Sequence, residues 1–152
     1  MELEVGFGNG VQRFTVPERN LQGVLTPNPV PHALTGEREV RRALSSPIGA
    51  PLLREVIHPG EKIAIITSDI TRPMPTYTVM PALLDELYAG GARPEDITLV
   101  SALGSHRAQT PEEMRHLAGE QAWAQIRCVD SDPADVVHLG VTSAGTPVDI
   151  TR

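Results

Sequence analysis

Apolar and polar positions alternate over residues 2–16. Leu3, Val5 and Phe7 fall on one side of a strand, and Val11 with the Phe14/Val16 pair on the side of a second. Between them Asn9-Gly10 carries the signal of a two-residue hairpin turn, which needs positive backbone φ. Four prolines (Pro17, Pro27, Pro29 and Pro31) then predict an extended segment over 17–34. A short helix is predicted over Glu37–Leu44, with Val40 and Leu44 on one face, and a further helical turn over Leu52–Ile57.

The middle of the chain has the clearest pattern. Lys62-Ile63-Ala64-Ile65-Ile66-Thr67 is a near-continuous apolar run, as expected of a strand buried on both faces of a parallel sheet. Tyr77, Met80, Leu83, Leu84, Leu87 and Tyr88 recur at helical spacing, with Pro81 early in the pattern and Gly90-Gly91 as its stop. Pro81 predicts a kinked first turn or a helix starting nearer Val79. Ile97-Thr98-Leu99-Val100-Ser101 is the next strand, completing a right-handed βαβ unit. Thr110-Pro111-Glu112-Glu113 is a capping box opening a helix that stops near Gly119. Strands follow at Ile126–Val129, Val136–Leu139 and Pro147–Ile150, the last two joined by Ser143-Ala144-Gly145-Thr146. The fold class is therefore α/β: a parallel-sheet domain with βαβ units and an N-terminal β-hairpin. The length of 152 residues fits a single domain.

Composition narrows the function. A net charge of -6 argues against a binder of nucleic-acid backbone. No apolar run approaches the roughly 18 residues of a membrane span, and Met1-Glu2-Leu3-Glu4 lacks a signal-peptide core. Cys128 is the single cysteine, which excludes an internal disulfide framework and fits a reducing, cytoplasmic setting. Twelve arginines stand against one lysine, Lys62, so lysine chemistry has one candidate.

In a parallel sheet, ligands bind beyond the carboxyl ends of the strands. The first strand of the βαβ unit runs into Ser68-Asp69-Ile70-Thr71-Arg72-Pro73-Met74-Pro75, the second into Gly104-Ser105-His106-Arg107. Parallel strands bring both loops to one edge, so Asp69, Thr71, Arg72, Ser105, His106 and Arg107 can converge in one crevice. Arg72 offers a planar fork for a carboxylate or phosphate. His106 can serve as general acid or base. Asp69 can orient the arginine or accept from a ribose hydroxyl, and Gly104 admits close backbone approach. Blander readings stand beside these: a local Asp69–Arg72 ion pair, a structural His106, and Arg107 as a rim charge. His32, His58, His116 and His138 lack metal-ligand spacing, so no metal ligand is assigned. Lys62 falls at the opposite edge, and Cys128 reads as a small core residue.

The two loops together resemble the nickel-dependent lactate racemase family. The resemblance lies in Asp69-Ile70-Thr71-Arg72-Pro73-Met74-Pro75, and in Gly104-Ser105-His106-Arg107 trailed by Thr110-Pro111-Glu112-Glu113. It is strong over about residues 55–120. Ser105 stands where the family has threonine, and Ala108 where it has proline. The resemblance implies racemisation or epimerisation of a small 2-hydroxy acid by proton-coupled hydride transfer. It implies a nickel-pincer nucleotide, Ni(II)-pyridinium-3,5-bisthiocarboxylate mononucleotide, as cofactor. His106 would be one of two acid/base histidines. Asp69, Ile70, Thr71 and Arg72 would hold the cofactor, with Arg72 also facing the substrate carboxylate. The anchoring lysine, the nickel-binding histidine and the second catalytic histidine would fall outside this chain. Residues 1–152 are thus expected to be the N-terminal domain or fragment of a two-domain enzyme, inactive alone, whose partners are its substrate and a C-terminal domain, with neither nucleic acid nor membrane. The alternative is a non-catalytic nucleotide- or carboxylate-binding module.

Overall fold

A computed structural model describes all of residues 1–152, in two compact units, Met1–Ala33 and Leu34–Arg152. The first unit holds an antiparallel hairpin of β1 (Glu2–Phe7) and β2 (Gly10–Thr15), pairing Leu3 with Phe14 and Phe7 with Gly10. The turn differs from the expected one by a residue. Gly8-Asn9 forms it, and Gly10 already belongs to β2. Gly8 takes φ +57°, and no residue other than glycine has positive φ. A turn that needs its positive φ at the first central position places glycine there, as in the type II′ pattern. Beyond a 3-10 turn at Glu18–Asn20, the proline-rich stretch has no regular structure.

The second unit begins with α1 (Gly36–Ser45) and the single turn α2 (Leu53–Val56). The βαβ unit follows as β3 (Ile63–Ser68), α3 (Thr76–Ala89) and β4 (Ile97–Ala102). Helix α3 starts at Thr76 and runs through Pro81, not from Val79 as an alternative start had it. At its far end Gly91 adopts φ +95°, and Gly91 N and Ala92 N donate back to Tyr88 O (2.9 Å) and Leu87 O (3.0 Å). That double bond pattern is a Schellman stop. The capping box of α4 (Pro111–Ala118) forms as the sequence predicts: Glu113 N donates to Thr110 Oγ1 (3.2 Å) and Thr110 N to Glu113 Oε2 (2.9 Å). A short α5 (Glu120–Gln125), which the sequence pattern does not announce, leads into β5 (Arg127–Asp130). A separate hairpin, β6 (Val136–Val141) with β7 (Pro147–Thr151), ends the chain.

Strands β3, β4 and β5 form one parallel sheet in that order. Each strand is added on the same side of the last. Right-handed crossovers then place every intervening helix on one face of the sheet. Ile97 and Leu99 on that face join Met80, Leu84 and Leu87 of α3, Ala118 of α4 and Ala122 of α5 in the buried core. The opposite face carries Ile66, which is 73% exposed. The expectation that Lys62–Thr67 is buried on both faces is therefore wrong. β3 is an edge strand with helices on one side only, and its regular strand begins at Ile63. Cys128 packs half-buried against the core, and burial raises its thiol pKa.

Candidate active site

Register decides where the two polar loops meet. Ser68 pairs with Ala102 at the carboxyl ends of β3 and β4, so both strands release their loops at the same edge. The first loop turns at once: Arg72 N donates to Asp69 O (3.1 Å), and Thr71 N donates to Asp69 Oδ1 (2.9 Å). This side-chain turn tucks the Asp69 carboxylate inward, where it is 2% exposed. In the second loop His106 N donates to Leu103 O (3.0 Å), with Gly104 at φ +57°. No protein atom lies within 4 Å of where a Gly104 Cβ would be, so the backbone there is open on the cleft side and the positive φ serves the turn.

The loops join through Asp69 and His106. Oδ1 of Asp69 accepts from the Thr71 hydroxyl (2.5 Å) as well as its amide, and Oδ2 pairs with His106 Nδ1. Thr71 first, then His106, hold the Asp69 carboxyl down to about 2. An ionised carboxylate only accepts, so the His106 nitrogen facing it carries a proton. Nε2 is left as the exchangeable nitrogen on a ring that lines the cleft and is 37% exposed. The Asp69–Arg72 ion pair allowed by their spacing does not form.

The cleft has a volume of about 530 Å³. Ser68, Asp69, Arg72, Met74, Ser105 and His106 are among its walls. Arg72 has no side-chain partner, whereas Arg93, Arg107 and Arg115 each close onto a carboxylate. Its guanidinium fork stands open for an anion. Arg107 does not converge with it. Both its terminal nitrogens donate to Glu113 (2.8 Å each), away from the cleft walls. That pairing, with the Thr110 amide, holds the Glu113 carboxyl down to about 2. Thr71 is exposed but does not line the cleft; its hydroxyl donates to Asp69 and lies 3.3 Å from His106 Nδ1, and Ile70 offers its amide to Gln109. Gln109 itself, with its partners Ser101 and Asp130, carries no motif that the sequence could have singled out.

The remaining candidates lie apart. Lys62 sits at the amino end of the sheet, where its Nζ meets the buried Asp96 (2.5 Å). His58 meets Glu61, and His138 pairs across its hairpin with Asp149 (2.7 Å). No group of three or more His, Cys, Asp and Glu side chains gathers at metal-binding distance.

Residues 7–152 match the family described as the lactate racemase N-terminal domain. The chain belongs to that family. It is 33% identical over 155 residues to the lactate racemase of Thermoanaerobacterium thermosaccharolyticum, covering 99% of this chain and 36% of that protein. It is 33% identical over 117 residues to the lactate racemase of Lactiplantibacillus plantarum, covering 74% and 27%. The structure of the lactate racemase apoprotein from T. thermosaccharolyticum superposes with a TM-score of 0.75 at 29% identity, over 99% of this chain and 36% of that one. A protein from Thermotoga maritima shares the fold at TM-score 0.57 and 20% identity, over 76% and 29%. The α/β fold with its parallel sheet agrees with that of the lactate racemase. The chain spans about a third of the length of the relatives it matches. No helix is long and apolar enough to cross a membrane.

Proposed function

We propose that this chain is the N-terminal domain of a longer, cytoplasmic 2-hydroxy-acid racemase or epimerase and supplies one half of its active site. One observation carries the reading: a buried, ionised Asp69 fixes the tautomer of His106 beside the unpaired Arg72 in a single cleft. A module that only binds a carboxylate needs the arginine but has no use for an oriented imidazole.

Arg72 takes the substrate carboxylate in its fork and sets the α-carbon's position. His106 Nε2 then receives the proton of the 2-hydroxyl, and the Asp69 carboxylate stabilises the imidazolium that results. A second acid/base group on the opposite face of the substrate comes from a C-terminal domain. The cleft fits part of a nickel-pincer nucleotide. Its guanidinium, hydroxyl and imidazole groups suit a phosphate, ribose hydroxyls and a carboxylate. It has no thiol and a single imidazole, so the contacts to nickel and the covalent anchor lie outside this chain. When bound, the group supplies the hydride acceptor. The stretch Asp69–Arg72 holds it through Arg72, with Asp69, Ile70 and Thr71 shaping the loop that presents that guanidinium.

The test is interconversion of enantiomers by the full-length protein, charged with cofactor, across lactate, malate and sugar acids. Racemisation of at least one 2-hydroxy acid is expected. Stereochemical inertness toward the whole panel, with the cofactor bound, would overturn the reading.

A further inference from the structure

Gln109 ties two strands, β4 and β5, to the loop that carries Asp69. Its Nε2 donates to Asp130 Oδ1 at the end of β5 (2.8 Å) and to Ser101 Oγ in β4 (2.9 Å). Its own amide donates to Asp130 Oδ2 (2.8 Å), so the Asp130 carboxylate grips both ends of one residue. Its Oε1 accepts from the amide of Ile70, the residue after Asp69 (2.8 Å). Every hydrogen-bonding direction of the side chain is used except one lone pair of Oε1. Ser101 is fully buried, and it pairs in register with Asp130 on the helix-covered face. The anchor is thus built into the sheet, and the loop hangs from it through a single bond.

We infer that Gln109 is a positioning residue, setting where Asp69 meets His106. This rests on the acid/base reading of His106. Gln109 lies three residues past His106 and holds the residue next to Asp69, so one amide spaces both partners of the carboxylate–imidazole pair. A Gln is required by its polarity: it must donate to Asp130 and Ser101 while accepting from Ile70.

That polarity can be reversed. Gln109→Glu alone sets two carboxylates against each other. Adding Asp130→Asn restores the pattern, because the side-chain amide introduced at position 130 donates to the carboxylate introduced at position 109 and accepts from the backbone N–H there. The new carboxylate still accepts from Ile70, and the Ser101 hydroxyl turns to donate. The experiment uses the full-length protein and compares wild type, Q109E, D130N and Q109E/D130N, with H106N as reference. Amide hydrogen exchange at Ile70 is read alongside racemisation, well below each variant's melting temperature. Q109E should speed Ile70 exchange about tenfold and lower turnover roughly 10- to 100-fold. The double variant should recover both to within about threefold. Wild-type turnover or Ile70 protection in Q109E would overturn the inference, as would failure of the double variant to recover them. Unchanged turnover in H106N would instead overturn the acid/base reading, while Ile70 exchange still reports the tether.

Discussion

Replacing Asp69 by Asn removes one charge and almost no volume, yet it should reverse the proton arrangement on His106. Two donors, the amide and the hydroxyl of Thr71, converge on Asp69 Oδ1. An Asn there keeps its oxygen toward them, since turning its NH2 to that side would oppose two donors. The two bonds at stake favour that orientation by about 5- to 150-fold. The Asn NH2 then faces His106 Nδ1, which must accept, and the ring proton moves to Nε2. A ring protonated at Nε2 cannot receive the substrate proton there, and the carboxylate that stabilised the imidazolium is gone. Together these should cut turnover roughly 10²- to 10⁴-fold. Chiral analysis of lactate over time measures the loss in the full-length enzyme, and nitrogen NMR of labelled histidine reads the tautomer. An Nδ1-protonated ring in D69N, together with wild-type turnover, would refute the chain of reasoning from Thr71 through Asp69 to His106.

Arg72→Lys replaces a fork by a point charge and should raise the KM for the 2-hydroxy acid about tenfold or more; an unchanged KM would remove Arg72 from the carboxylate site. Leu84→Ala empties a fully buried position of α3 and should cost about 2–5 kcal/mol in urea denaturation. Glu113 has its carboxyl lowered to about 2, so its stabilising contribution is present above about pH 4 and is lost as pH falls toward 2. E113Q keeps the cap but not the charge pairing with Arg107, so its melting temperature should fall less steeply over that range than wild type; parallel curves would contradict the pairing. Residues 1–152 alone, incubated with charged cofactor, should retain no stoichiometric nickel and racemise nothing, because the crevice offers one imidazole and Lys62 is committed to Asp96 at the far edge. Bound nickel after gel filtration would show the cofactor site to be misplaced.

The strand–helix–strand unit was legible because its periodicities are strong and its stops chemically explicit: Gly90-Gly91 after the helix, Thr110 to Glu113 before the next. Those same elements place the Asp69 and His106 loops at one edge, so the crevice could be reached from the sequence. The open sheet face could not. An apolar run such as Ile63–Ile66 reads alike whether helices cover one face or two, because that depends on strand order. The short α5 falls below two helical turns, too few to show a period. The hairpin turn slipped by one because Gly8-Asn9 and Asn9-Gly10 overlap, and only the backbone distinguishes which glycine needs positive φ. Gln109 belongs to no motif; its importance comes from three partners distant in sequence, Ile70, Ser101 and Asp130.

His106 is the residue on which racemisation by this cleft most directly depends. In the full-length, cofactor-loaded enzyme, lactate racemisation by wild type and by His106→Asn should differ roughly 10²- to 10⁴-fold, with melting temperature nearly unchanged. Equal rates in the two proteins, both folded and both carrying cofactor, would contradict the assignment of this cleft as half of a racemase active site.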